Sequence, residues 1–431
     1  MQPNNAWMWR GKPLLVAWVL MALQPAIAAE ALTLDNYFSQ ALARSEVVSI
    51  QGELVQQAQE RKRQASAALY PTLTGYASYT WQETGTRNLT LYPIRQRLAR
   101  LTANQPLFRG FREFAAVRQS RALVGAQDDD YWHARVQLFK DVAQNFYQVL
   151  AIEQDLVSLG EQIDQYQQRT KELQGRVRIG RSRSGEVLTV QSGISTLDAQ
   201  IEQRKADLGT AREVFAFLSG LPVTTPLHDT EMVPMHPGMA DEYLARIPLR
   251  PDVKAMQQRQ TAAQENVTVA RGAHLPSLDL NANRYLERNG ILENVDWDVQ
   301  LALTVPIYAG GGVQSRVREA LSQNTQAELS LNQMRRQAEQ EIRSIHQNVI
   351  FDRSQLDALQ KATDAAQKNY SAQQRDYRLG LVTNLDVLQA QANFQENQRA
   401  LYRVRYNIKL NYLRLQAAAV YRPEVYTGAA P

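Results

Sequence analysis

A chain of 431 residues with a formal charge of +5 carries too weak a basic balance, spread over too much length, for a nucleic-acid binder. It has no cysteine, which excludes disulfides and a lipidated N-terminal Cys. Its apolar share of 44% is ordinary, but much of it is Ala and Gln is abundant, a mix that suits long helices with thin apolar stripes.

The first 29 residues read as a secretory leader. Arg10 and Lys12 form a basic start, Leu14–Leu23 is an apolar run, and Ala26-Ile27-Ala28 is a small-residue cleavage site. The run is too short for a spanning helix, which needs about 20 residues. Residues 46–68 have helical spacing. From Leu73 to Trp81 the odd positions (Leu73, Gly75, Ala77, Tyr79, Trp81) alternate with Thr74, Tyr76, Ser78 and Thr80, a period of two that predicts a strand over about 72–82. Residues 96–107 predict a second, less regular strand ending near Pro106. A long helix follows from about Arg112 to Val177.

The segment 219–250 carries Pro222, Pro226, Pro234, Pro237 and Pro248 and reads as an extended connector. Pro251 and Asp252 open a helix over 251–274. Strands are predicted over about 277–288 and 295–306, the latter with Val295, Trp297, Val299, Leu301 and Leu303 on one face. After Pro306 and Gly310-Gly311-Gly312, apolar steps of three and four predict a helix from Val313 to about Tyr377. A tail from 421 to 431 is read as loose.

The chain repeats itself. At an offset of 200, Pro106 falls on Pro306, Gly110 on Gly310, Arg178 on Arg378, Gly180 on Gly380, Leu188 on Leu388 and Gln191 on Gln391; Pro71 matches Pro276 at 205. The slip falls in the hairpins, where loop length changes at little cost. The expected domains are a leader (1–29), a first repeat (30–218), a connector (219–250), a second repeat (251–420) and the tail. Each repeat runs helix, β-hairpin, long helix, tight turn, long helix, so the fold class is mainly α with a small β part.

Four strands of this length match a bilayer crossing, which takes about 9–11 residues. Their alternation is that of barrel strands, though a soluble sheet with one wet face alternates too. In lipid an open sheet edge is intolerable, and four strands cannot close a barrel that needs roughly eight. Membrane strands here imply further copies of the chain; three would give a twelve-stranded β-barrel. The Val313–Tyr377 helix, about 97 Å long at 1.5 Å per residue, would project far from the membrane. The turns at Gly180 and Gly380 would lie together at its far end.

The motifs LYPTLTGY and HLPSLDLN opening the hairpins, QPLFRGF and VPIYAGG closing them, and YRLGLVTNLDVLQAQ make the chain similar to the TolC-like outer-membrane efflux and secretion channels. The resemblance covers essentially all of the chain after the leader. It implies a homotrimer in outer-membrane lipid, a barrel continued by an α-helical periplasmic tunnel, and a tunnel end that docks a periplasmic adaptor. Behind the adaptor would stand an inner-membrane pump or ABC transporter, in efflux or type I secretion. By the same resemblance Tyr377 matches a gating tyrosine and Asp386 a pore-lining aspartate. Val382 stands where the pattern has a gating arginine, and Gln389 where it has a second aspartate. The first turn carries Glu186 at the place of Asp386, and adds Arg181 and Arg183.

Asp386 has two readings, a pore ring that favours cations or an acid steadying the start of a helix near Thr383; Glu186 faces the same choice. The tip residues Gly180, Arg181, Arg183, Gly380, Leu381, Val382 and Thr383 read as an adaptor-docking surface or as solvated helix ends. No catalytic constellation, cofactor motif or metal-ligand spacing stands out: the five histidines are scattered, Gly310–Gly312 lacks the Lys-Ser/Thr of a phosphate loop, and Asp128–Asp130 splay around a helix. The competing reading is a periplasmic coiled-coil adaptor or scaffold.

Overall fold

A computed structural model describes residues 31–83, 94–234, 237–289 and 292–420. The leader, the tail, the first hairpin loop (84–93), two residues of the second (290–291) and 235–236 lie outside the described residues. The elements in order are α1 (Leu34–Arg44), α2 (Glu46–Ala67), β1 (Thr72–Trp81), β2 (Arg95–Arg109), α3 (Arg112–Arg178), α4 (Ser184–Ser219), α5 (Ala240–Leu244), a 3₁₀ turn (Ile247–Leu249), α6 (Pro251–Gly272), β3 (Ser277–Arg288), β4 (Trp297–Thr304), α7 (Gly312–Leu379) and α8 (Asn384–Ala418).

The internal repeat is geometric as well as textual. α2 and α6 begin and end at positions 205 apart. Thr72 pairs with Asn104 in the first hairpin and Ser277 with Thr304 in the second, the same rung at offsets of 205 and 200. Gly110 and Gly310 both take positive φ (67° and 61°), and so do the residues after them, Phe111 and Gly311 (62° and 78°), where each strand gives way to its long helix.

Two departures from the sequence reading concern the joins. The segment 219–250 is not simply extended: α5 and the 3₁₀ turn occupy the place, 205 residues on, that α1 holds in the first repeat. Tyr243 of α5 is buried at the position equivalent to the buried Phe38 of α1. The prolines mask the helical spacing, while burial of Tyr243 holds the turn. β4 is shorter than expected and β2 longer. β2 is paired on both sides and runs through Pro106; β4 has a partner on one side only and ends before Pro306.

The four strands form one antiparallel sheet in the order β1-β2-β3-β4, the two repeats joining at β2 and β3. Register sorts the side chains cleanly. Leu73, Ala103, Ala282 and Val299 share one rung and one face, as do Leu280 and Leu301. On the other face Thr74, Thr102, Asn283 and Asp298 make a rung, and Asn104, Asn281 and Gln300 another. These polar rungs are bonded across strands: Thr102 Oγ1 donates to Asn283 Oδ1 (2.7 Å), Asn283 Nδ2 to Asp298 Oδ1 (2.7 Å), Asn104 Nδ2 to Asn281 Oδ1 (2.6 Å) and the Tyr285 hydroxyl to Asp298 Oδ2 (2.8 Å). The apolar face is exposed, Leu73, Leu301 and Leu303 among it.

The main core lies midway along the helices, where α1 buries Leu34, Tyr37 and Phe38 against Phe139, Val142 and Phe146 of α3, Phe215 of α4 and Leu413 of α8. Nearby, buried Arg250 donates to both oxygens of Asp252 (3.0 and 2.7 Å), to Glu341 Oε2 (2.8 Å) and to the Ala418 carbonyl (3.0 Å). Burial alone would raise the Asp252 and Glu341 carboxyls, but Arg250, with Lys140 beside Glu341, holds both below their ordinary values.

Candidate functional site

The two helix-to-helix turns form the far end of the molecule, and their chemistry is set locally. Each ends a long helix with a glycine at positive φ, Gly180 (68°) and Gly380 (78°). Gly180 N donates to Val177 O (3.0 Å) and Arg181 N to Arg176 O (2.8 Å); Gly380 N donates to Tyr377 O (3.1 Å) and Leu381 N to Asp376 O (2.9 Å). This is the Schellman closure, made twice.

The next helices start differently. Thr383 and Asp386 form a capping box: Asp386 N donates to Thr383 Oγ1 (3.4 Å), while the Thr383 backbone N–H (2.8 Å) and hydroxyl (2.6 Å) donate to Asp386 Oδ2. These bonds from Thr383 hold the exposed Asp386 carboxyl below its ordinary value. At the matching place in the first turn stands Arg183, which makes no side-chain cap. Glu186 is left free of that duty and instead accepts from Ser182 Oγ (2.9 Å) and from the Tyr377 hydroxyl (3.3 Å) on the other hairpin.

Tyr377 is the meeting point of the two hairpins. It is buried in an apolar cluster with Leu159, Tyr166 and Leu173 of α3, Val190 and Leu197 of α4, and Val387 and Leu388 of α8. Arg169 and Arg176 lie over its ring, their guanidinium carbons 4.0 and 4.5 Å from the centroid. Burial pushes the phenol up; Arg169 pulls it down and Glu186 pushes it up again. Arg169 also donates through Nε to Asn384 Oδ1 (2.9 Å), with Asn384 itself buried, and pairs with Glu172 (2.8 Å). One turn higher, Gln391 and Gln395 both donate to Gln165 Oε1 (2.8 and 3.0 Å).

Of the residues singled out in the sequence, Tyr377 and Glu186 come together. Asp386 and Gln389 are exposed, three apart on the first turns of α8, on one side of the helix. Gly180, Arg181, Arg183, Gly380, Leu381 and Thr383 are exposed on the tips; Val382 is half-buried against the Tyr377 cluster. An open cleft of about 700 Å³ lies between the turns, lined by Arg176, Arg181, Arg183, Glu186, Tyr377 and Val382 among others. Sequence reasoning missed Arg169, Asn384 and Gln165. Among the described residues no cluster of His, Cys, Asp or Glu has the form of a metal site, and no helix is long and apolar enough to cross a membrane.

The outer membrane efflux protein family matches residues 37–221 and 246–419, nearly all of the described chain. The chain belongs to that family. It is an outer-membrane channel protein, an exit duct for efflux or type I secretion. It is similar to outer membrane protein TolC of Escherichia coli (25% identical over 378 residues, 83% of this chain and 76% of that one). It is similar also to the proteases secretion protein PrtF of Dickeya chrysanthemi (24% over 383 residues, 84% and 82%). The fold is that of the solved outer membrane protein VceC of Vibrio cholerae, with a TM-score of 0.80, 19% identity, and 90% and 95% of the two chains covered.

Proposed function

We propose that three copies of this efflux protein form a passive duct whose barrel crosses the outer membrane and whose helices reach into the periplasm. The observation that carries this reading is the open sheet: among the described residues β1 and β4 each lack a partner on one side, one face is apolar and exposed, and the other is a hydrogen-bonded polar wall. Unpaired strand edges in hydrocarbon cost several kcal/mol per group. Joining β4 of one copy to β1 of the next removes every edge. Ile307 and Tyr308, 94% and 86% exposed beyond β4, then gain a neighbour.

At the far end Tyr377, Glu186, Asp386 and Gln389 act as the gate, with Asp386 the single acid that each copy brings from its second turn to the entrance. The tip residues Gly180, Arg181, Arg183, Gly380, Leu381, Val382 and Thr383 receive a periplasmic adaptor, which couples the duct to an inner-membrane pump or ABC transporter. The cargo class follows the pump: small toxic molecules for efflux, polypeptides for type I secretion, as the name of the similar PrtF says of that protein.

The test is the mass and conductance of the protein extracted from outer membranes in mild detergent. A trimer that opens discrete channels in planar bilayers is expected. A monodisperse monomer, or recovery from the soluble periplasm, would overturn the reading in favour of a coiled-coil scaffold.

A further inference from the structure

The internal repeat specifies the contact between copies residue by residue. Within one chain α3 packs on α6. By the offsets of 200 and 205, α3 corresponds to α7 and α6 to α2. The face of α7 that corresponds to the α3 face therefore awaits an α2, and this chain's own α2 is already packed on α3. We infer that α7 of one copy docks on α2 of the next in the geometry of α3 on α6, locked by an ion pair between Arg318 and the neighbouring copy's Glu60. The inference rests on the trimer reading above and adds its register.

Three observations support it independently. The first is charge. Arg118 on α3 and Glu265 on α6 make a two-pronged bridge, Nε to Oε1 at 2.9 Å and Nη2 to Oε2 at 2.8 Å. Shifting Arg118 by 200 gives Arg318, and shifting Glu265 back by 205 gives Glu60: both residue types are kept. In the isolated chain the side-chain contacts of these two residues are short-range, Arg318 with Ser315 Oγ (3.2 Å) and Glu60 with the exposed Arg63.

The second is shape. A Cβ on Gly272 would meet Arg112 Cγ at 2.4 Å and Gly110 O at 2.5 Å, so α6 and the start of α3 touch through glycines. The equivalent of Gly272 is Ala67, which does carry a Cβ; the equivalent of Arg112 is Gly312, which removes the side chain that Cβ would strike, while the backbone carbonyl equivalent to Gly110 O requires the end of α2 to sit slightly farther from α7 than α6 sits from α3. The run Gly310-Gly311-Gly312, open to solvent in the isolated chain, thus has a purpose in the seam.

The third is strand parity. The β2–β3 register (Leu101 opposite Arg284, Ala103 opposite Ala282) transposes to Leu301 opposite the neighbouring copy's Tyr79 and Leu303 opposite its Ala77. All four lie on the apolar face of their own hairpin, as one continuous barrel exterior requires. A register one residue off would put apolar side chains against the polar wall.

The chain has no native cysteine, so introduced thiols report cleanly. The full-length protein carrying Glu60→Cys with Arg318→Cys, treated in the membrane with a short bis-maleimide, should give covalent dimers and trimers on a denaturing gel. Either single variant should give none. Arg118→Cys with Glu265→Cys should cross-link within one chain and leave its mass as a monomer. A charge exchange, Glu60→Arg with Arg318→Glu, should restore the heat resistance of the trimer that Arg318→Glu alone lowers. If the untreated wild type is trimeric but the Glu60→Cys/Arg318→Cys protein yields only monomers, this register is wrong while the trimer stands. If the wild type is itself monomeric, the trimer reading has failed.

Discussion

Replacing Arg169 by Ala should loosen the tip more than any other single change there. Three interactions are lost together. The Nε bond to the buried Asn384 carbonyl oxygen (2.9 Å) is a bond to a charged group, which contributes about 1.5–3 kcal/mol. The guanidinium 4.0 Å over the Tyr377 ring adds about 0.5–2 kcal/mol. The pair with Glu172 stays within α3 and does not tie the hairpins. Arg176, 4.5 Å from the same ring, partly compensates, so the terms do not add fully; about 2–4 kcal/mol of coupling between the hairpins is a fair expectation. At 1.4 kcal/mol per decade this is roughly a 30- to 1,000-fold rise in the population with the hairpins parted. Hydrogen exchange read by mass spectrometry should quicken by that order over both 165–176 and 377–391, and single-channel conductance should rise. Tyr377→Phe, which removes the 3.3 Å bond to Glu186 and the hydroxyl's contact with Ser182 but keeps the ring under Arg169, should do much less, and Arg169→Lys should fall between. Exchange in Arg169→Ala indistinguishable from wild type in both segments would refute this account of how the hairpins are held.

Asp386→Asn should weaken cation preference, read as a shift of reversal potential towards zero in a salt gradient; an unmoved potential would remove Asp386 from the pore. Arg250→Ala strands two buried-side carboxylates, Asp252 and Glu341, and should cost about 3–5 kcal/mol in thermal or denaturant unfolding. Because both carboxyls are held below their ordinary values, the stability they add is present above the unfolded carboxylate pKa and lost as pH falls through the folded one; wild-type melting should therefore drop in acid more steeply than that of Arg250→Met. Asp129 behaves oppositely. Burial and its acidic neighbours push it up to about 6 against the pull of Lys254, so Asp129→Asn should raise the melting temperature at pH 8 and lose that advantage near pH 4.

Much of this molecule could be read without coordinates because its elements are long and strictly periodic. The alternation from Leu73 to Trp81 and from Trp297 to Leu303 is a direct image of the pleat, and β1 and β4 lie where it says. The helix from Gly312 to Leu379 keeps its seam over its whole length. α1 escaped notice because it is short and broken from α2 by the Ser45 cap, and α5 because prolines surround it. The tip was harder. Arg169 and Tyr377 are 208 positions apart, and the repeat gives no help, since the counterpart of Tyr377 is Val177. Glu186 looked like Asp386's twin, yet Arg183 in the place of Thr383 takes away its cap and turns it towards the other hairpin. Such partnerships depend on which helices lie side by side, a fact no local pattern carries.

The polar face of the sheet is partly bonded within itself. Thr102 gives its hydroxyl hydrogen to Asn283 and Asn104 an amide hydrogen to Asn281, and Asp298 is held between Asn283 and Tyr285. In the proposed duct this face would be a water-wetted wall whose side chains are partly held in place by their neighbours. Such a wall would serve as a fixed sleeve rather than a fitted pocket, with the choice of passenger made at the entrance.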